Sequence, residues 1–254
     1  MNSAFYIGAT GLRAQEHALG VTANNIANLN TPGFKRARVR FGELLGSAPA
    51  TAELAQARWI EASGVAALGA GRVMEQGELR ATGQAMDLGI DGEGFLEVLG
   101  PDGQSLLWRG GSLEVGADGM LGVAGGFPLR ALITVPAGAS QLRISPDGTV
   151  TALLGADEAA VELGRLDLVS VNDPAGLEAA GAGLWRAGPG QTLTVATPGE
   201  EGAGLIIQGA LESSNVALSE EMVALMVMQR AYAASAQVLQ AGDQLMGIAN
   251  GLRR

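Results

Sequence analysis

The sequence predicts an α+β fold: paired N- and C-terminal helices forming a coiled-coil domain, an extended connector, and a central β-rich domain. Three observations carry this expectation. Phe5, Leu12, Leu19 and Ile26 recur at a seven-residue interval near the start of the chain. Leu218, Met222, Leu225, Tyr232, Leu239 and Met246 fall on a 4,3 spacing near its end, and Asp-Gly or Glu-Gly pairs punctuate everything between.

The first element spans residues 3 to 28 and belongs to a segment taken as 1–30. Ala9 and Ala23 fill intervening seam positions while Glu16 interrupts them, which describes an amphipathic helix with a narrow apolar seam. At ~1.5 Å per residue it would be about 39 Å long. Its stop is written in Asn24-Asn25-Ile26-Ala27-Asn28-Leu29-Asn30-Thr31-Pro32-Gly33-Phe34. Asparagine favours helix ends because its amide competes for backbone groups. Pro32 then lacks an N–H and restricts the residue before it, so the helix cannot continue.

An exit turn and extended connector should occupy residues 31–70. From Gly46 to Ala70 Ala, Gly, Ser and Thr dominate the composition, with Trp59-Ile60 the one bulky pair. Residues 71–210 read as β-rich, with short apolar runs such as Phe95-Leu96-Glu97-Val98-Leu99 and Leu132-Ile133-Thr134-Val135. Asp91-Gly92, Glu93-Gly94, Asp102-Gly103, Asp118-Gly119 and Asp147-Gly148 suit hairpin turns, where glycine takes a positive φ without penalty. No helical pattern alternates with these strands, which argues against a parallel α/β sheet.

The last segment, 211–254, carries the second helix, with Ser214 or Asn215 offering an N-cap oxygen. Glu220 and Glu221 lie near the positive end of its dipole, and Arg253 and Arg254 near the negative end. Gln229 and Asp243 interrupt its seam. Such seams cannot be buried by two helices alone, so the expectation includes packing against neighbouring copies.

Composition narrows the function. The chain has 254 residues, 47% of them hydrophobic and 17% charged, enough for one large or two small domains. A net charge of −10 and a single lysine, Lys35, argue against a nucleic-acid partner. Without cysteine there are no disulfides, thiolate chemistry or zinc clusters built on thiolates. The start, Met1-Asn2-Ser3-Ala4-Phe5, has no basic run leading into a long apolar one, so no cleavable signal and no membrane insertion are expected.

Catalytic, cofactor-binding and metal-ligating residues are all expected to be absent. His17 stands alone on a helix among Gln15, Glu16 and Ala18, and no Gly-x-Ser-x-Gly elbow accompanies it. Asp87, Asp91, Glu93 and Glu97 could be read as the paired acids of a glycosidase, but Asp91 and Glu93 each precede glycine as turn residues do. Gly69-Ala70-Gly71 lacks the third glycine of a dinucleotide loop. The run Lys35, Arg36, Arg38, Arg40 is the one local reversal of an acidic chain, and it suggests a contact with acidic neighbours rather than a merely solvated strand. Met222, Met226, Met228 and Met246 read as pliable packing residues for another chain.

Several stretches together resemble the flagellar rod and hook protein family. They include Gly11-Leu12-Arg13-Ala14-Gln15, the Asn24–Asn28 run, Thr31-Pro32-Gly33-Phe34-Lys35, and Met86 through Phe95. Gly126-Phe127-Pro128-Leu129, Leu211 through Val216, and Gln229-Arg230-Ala231-Tyr232 continue the series, which spans nearly the whole chain. One departure is Arg109-Gly110-Gly111, where the family commonly has an Arg-Asp-Gly turn. The resemblance implies a structural subunit of the distal rod, a rigid hollow driveshaft assembled helically, with a proximal rod position as the alternative. A wall-degrading enzyme is the rival class. The implied partners are further copies of the chain, proximal rod proteins, the hook protein, the surrounding P- and L-ring proteins and the flagellar type III export apparatus, in a rod crossing the periplasm. The implied assembly residues are Asn24, Asn25, Asn28, Thr31, Pro32, Gly33 and Phe34 at the helix exit, together with the ten seam residues named in the first paragraph above.

Overall fold

The computed structural model describes residues 2–45, 62–101, 103–154, 159–200 and 202–251. Helix α1 (Asn2–Ala27) precedes two long strands, β1 (Ala37–Leu45) and β2 (Ala62–Arg72). Then come β3 (Leu79–Ala81), β4 (Asp87–Asp91), β5 (Leu96–Leu99), β6 (Ser105–Trp108), β7 (Gly110–Val115), β8 (Leu121–Val123) and β9 (Phe127–Pro128). These are followed by β10 (Ala139–Ile144), β11 (Thr149–Leu154), β12 (Ala159–Arg165) and β13 (Leu168–Val171), then a 3-10 turn at Pro174–Gly176. The series closes with β14 (Glu178–Gly181), β15 (Leu184–Arg186), β16 (Leu193–Ala196), β17 (Leu205–Gln208), β18 (Ala210–Glu212) and helix α2 (Leu218–Gly251).

This order corrects the expected fold class. Among the described residues eighteen strands stand against two α-helices, so the chain is mainly β with one helix at each end, not an α+β chain built on a coiled-coil domain. Long helices leave a conspicuous period in a sequence, whereas short strands leave almost none, and the weight of the two was misjudged for that reason. Within the expected connector, β1 and β2 pair in a two-stranded sheet. The run Ala62–Arg72 is too rich in alanine and glycine to announce a strand, and its strand character comes from its partner rather than its own side chains. Residues 46–61, with Trp59 and Ile60, lie outside the described residues, as do Arg253 and Arg254.

The chain divides into two compact units, one of Met1–Ala27, Ala37–Gly71 and Val216–Arg254, the other of Asn28–Arg36 and Arg72–Asn215. In the first, α1 and α2 run antiparallel. Phe5 approaches Gly242, Gly8 approaches Leu239 and Gly11 approaches Ser235. Towards the other end Thr22 reaches Met228 and Asn25 reaches Glu221. The buried face of α1 is Gly8, Ala14, Ala18, Thr22 and Asn25, small or polar residues that let the two backbones approach closely. One residue of helix is ~100° of rotation, so this face lies beside the Leu19–Ile26 stripe instead of on it.

The second unit is sheet throughout. A five-stranded sheet has the order β17-β4-β7-β8-β9, a four-stranded one β14-β15-β6-β5 and a three-stranded one β10-β11-β12. Every ladder between named strands of this unit is antiparallel. Its main core gathers Leu88, Ile90, Val98, Leu121, Val150, Leu168 and Ile206, and a smaller one centres on Phe95, Leu107, Leu177 and Trp185.

Three of the five expected turns close hairpins by one device. Gly100 bonds Gln104, Gly116 bonds Met120 and Ser145 bonds Thr149 across three-residue loops that each end on glycine. Those glycines have φ of 71°, 77° and 87°, the left-handed bulge position of such loops. Asp91-Gly92 and Glu93-Gly94 instead carry the chain from β4 to β5. Arg109-Gly110-Gly111 is not a turn either: Gly110 opens β7 and pairs with Gly89. A Cβ there would meet Leu88 O at 2.6 Å, so close strand approach explains this glycine.

Candidate functional site

The helix exit is built from local bonds. The Thr31 N–H donates to Asn28 O at 3.1 Å, and the Thr31 hydroxyl to Asn28 Oδ1 at 3.2 Å. Phe34 N–H donates back to Thr31 O at 3.2 Å, closing a turn with Pro32 second and Gly33 third. Gly33 has a φ of 67°, as the third residue of a type II turn requires. Gly33→Ala should therefore lower stability by about 1–2 kcal/mol in denaturant melts. Gly33→Asn should fall between the two, because asparagine tolerates this conformation better than alanine.

The turn delivers Lys35 into the interior of the β-rich unit. Lys35, Arg109 and Glu212 are 1%, 6% and 2% exposed, so three charges share one dry site. The Lys35 ammonium donates to Glu212 Oε1 at 2.5 Å and to Glu75 O at 2.8 Å. The same Oε1 accepts the Gly77 N–H at 2.7 Å, while Glu212 Oε2 accepts Arg109 Nε at 3.1 Å. Arg109 also donates to Gly94 O at 2.6 Å and to Gly92 O, so the two Glu/Asp-Gly pairs that close no hairpin form its carbonyl cradle. Its guanidinium lies 5.7 Å from the Phe95 ring centre. Burial pushes the Lys35 ammonium below the ordinary lysine range; Glu212 opposes that shift and Arg109 adds to it.

The residues around Lys35 are held just as firmly. Arg36 N–H donates to Asn215 Oδ1 at 2.7 Å, and the Asn215 amide donates to Val73 O at 2.8 Å and Glu75 O at 3.0 Å. Arg72 donates to Lys35 O at 2.7 Å and places its guanidinium 5.2 Å from the Phe34 ring centre and 5.7 Å from that of Trp185. Residues 33–36 are thus held from two sides, by 72–77 and by 212–215.

In the helical unit the corresponding device is Asn25, 1% exposed. Its Oδ1 accepts the Ala37 N–H at 2.9 Å and its Nδ2 donates to Ala37 O at 2.9 Å, pairing a side chain to a backbone as a neighbouring strand would. The same Nδ2 lies 3.2 Å from Glu221 Oε2, and Glu221 is itself buried. The exit motif is therefore divided: Asn24 and Asn25 belong to the helical unit, and Asn28, Thr31, Pro32, Gly33 and Phe34 to the β-rich one.

The expected seam residues sit differently. Phe5, Leu218, Met222, Tyr232 and Met246 are exposed, and Leu12, Leu19, Ile26, Leu225 and Leu239 are half-buried. The expected basic run is split, with Lys35 buried while Arg38 and Arg40 are exposed on β1. Of the four acids weighed for hydrolysis, Asp87 accepts the Thr82 and Ser112 hydroxyls, both at 2.6 Å. Asp91 accepts from Gln76, and Glu97 pairs with Arg130 at 2.6 Å. These three are engaged in holding loops together, while Glu93 stands exposed. Sequence reasoning missed the Lys35–Glu212–Arg109 trio, although the chain's single lysine directly after the exit turn was a signal for it.

Three family models match the chain: "Flagella basal body rod protein" over residues 5–35, "Flagellar hook protein FlgE/F/G D1 domain" over 89–152, and "Flagellar basal body rod FlgEFG protein C-terminal" over 207–252. Lys35, Arg109 and Glu212 fall one in each. The chain is 34% identical over 265 residues to the flagellar basal-body rod protein FlgG of Borreliella burgdorferi, with all of both chains covered. It is 32% identical over 254 residues to the protein of that name from Caulobacter vibrioides, covering 96% of this chain and 97% of that one. It is also 32% identical over 271 residues to the flagellar basal-body rod protein FlgF of Salmonella typhimurium, covering 99% and 98%.

Proposed function

The chain belongs to the flagellar basal-body rod protein family, and with that membership we propose that it is a structural subunit of the distal rod. Copies assemble head to tail with helical symmetry into a hollow driveshaft that transmits torque from motor to hook, and no catalytic step belongs to this role. The observation that carries it is the apolar surface of the two helices. Val223, Val227, Val238, Leu245 and Ile248 are each more than half exposed, and Phe5, Met222 and Tyr232 add to the same unit's apolar surface. A surface so apolar marks an interaction site. In an open helical arrangement each copy would cover that surface with its neighbours.

On this reading Asn24, Asn25, Asn28 and the Thr31–Phe34 turn set subunit geometry. Proximal rod proteins, the hook protein and the surrounding rings are the neighbours of the assembled rod, reached by export through the flagellar type III apparatus. Leu12→Asp tests it. The variant should lose polymer formation in sedimentation and negative-stain images, with the β-rich unit still folding cooperatively. Filaments formed by Leu12→Asp at the parent's rate would sink the proposal.

A further inference from the structure

The β-rich unit carries a groove of about 530 Å³. Met74, Phe95 and Pro174 contribute apolar surface to it, and Glu75, Glu93 and Asp173 stand exposed around it. Among the described residues no cation pairs with any of these three carboxylates. Arg109 also lines the groove, but its charge is taken up by Glu212. The three carboxylates outweigh the single net positive charge of the buried trio beneath them. The groove is therefore a concave, partly apolar site with a negative margin, suited to a guanidinium on a flexible stem, which brings apolar methylenes as well as charge.

The chain itself carries that chemistry elsewhere. Arg38 and Arg40 are two residues apart on β1, so they project from one face of the strand. Both are exposed, and neither has an ion-pair partner among the described residues. In a chain of net charge −10, two unpaired arginines on one strand face are a local reversal of sign. Complementary charge chooses partner and register more than it adds raw affinity. We propose that the groove bounded by Glu75, Glu93 and Asp173 receives the Arg38–Arg40 face of β1 from a second copy of this chain. The inference rests on the self-assembly reading above and names one of its contacts.

Charge reversal tests it in the full chain. Glu93→Arg and Arg40→Glu should each slow polymer formation at least tenfold, measured by light scattering at low salt. The double variant restores a complementary pair at every contact and should return to within threefold of the parent rate. A double variant no faster than the single ones overturns the contact. Because the chain has no cysteine, a second measurement stands independent of ordered polymer. In the variant Arg40→Cys with Glu93→Cys, a short bismaleimide should give a ladder of linked copies, while either cysteine alone stops at the dimer at most. A ladder without ordered filaments supports the contact and sinks the rod reading. Filaments without a ladder overturn the contact alone, and the absence of both overturns the two together. A link formed only within one copy, seen as a monomer of altered mobility, also overturns the contact.

Discussion

Glu212→Gln lowers the stability of the β-rich unit by about 3–5 kcal/mol, read as a fall in denaturant midpoint with the slope of the transition unchanged. The amide keeps the shape of the carboxylate and removes the one negative charge that Lys35 and Arg109 share. Two cations then remain in a dry site, and one of them, Lys35, is already pushed towards its neutral form by burial. Replacing the trio together, with Lys35→Met, Arg109→Met and Glu212→Leu, should regain much of the loss, because an apolar trio has no charge to desolvate. Recovery stays incomplete: Glu75 O, Gly92 O, Gly94 O and the Gly77 N–H keep their need for partners. A Glu212→Gln chain that melts with the parent would refute the assignment of this carboxylate as the shared counter-ion.

Asn25→Asp destabilises the helical unit by on the order of 3 kcal/mol at neutral pH, followed as loss of far-UV helical signal on heating. The acid still accepts the Ala37 N–H, but it has no hydrogen for Ala37 O or for Glu221. It also sets a second carboxylate where Nδ2 had stood 3.2 Å from Glu221 Oε2. Like charges that close raise the pKa of the pair in the folded state. The sign follows from proton linkage: the folded state then binds a proton more tightly than the unfolded one, so stability is recovered below the raised pKa and lost as pH climbs through it. Melts at stepwise lower pH should bring Asn25→Asp back towards the parent, whereas Asn25→Ala should show a loss with no such recovery. Equal pH dependence in the two variants would refute the pairing with Glu221.

Local chemistry was legible in the residues; long-range pairing was not. Pro101, Ala117 and Pro146 each open an x-Asp-Gly loop, and the resulting hairpins depend only on a few consecutive dihedrals. The Thr31-Pro32-Gly33-Phe34 exit was legible for the same reason. The trio was hidden because its members stand far apart in sequence, with Glu212 177 positions after Lys35 and 103 after Arg109. No local pattern encodes such a meeting, and a lysine beside three arginines reads naturally as surface charge. The face of α1 that is buried within one chain was hidden for another reason. Large apolar residues draw the eye to the Phe5–Leu12–Leu19–Ile26 stripe, but close contact within one chain selects small residues, and Ala14 and Ala18 supply them. The strand β2 was unreadable because alanine and glycine carry no preference that would distinguish a ribbon from a loop.

The bonds joining Gly33 N–H to Glu212 O at 2.7 Å and Asn215 N–H to Phe34 O at 3.4 Å have a consequence for how the chain can change over time. They bring the first and last stretches of the β-rich unit to one place, so that unit is a cassette whose two ends are already clasped. Residues added or removed inside it, at a hairpin tip such as Ala117-Asp118-Gly119, would leave the clasp as it is. The cassette could grow, shrink or be exchanged while the helices at either end of the chain kept the same covalent attachments.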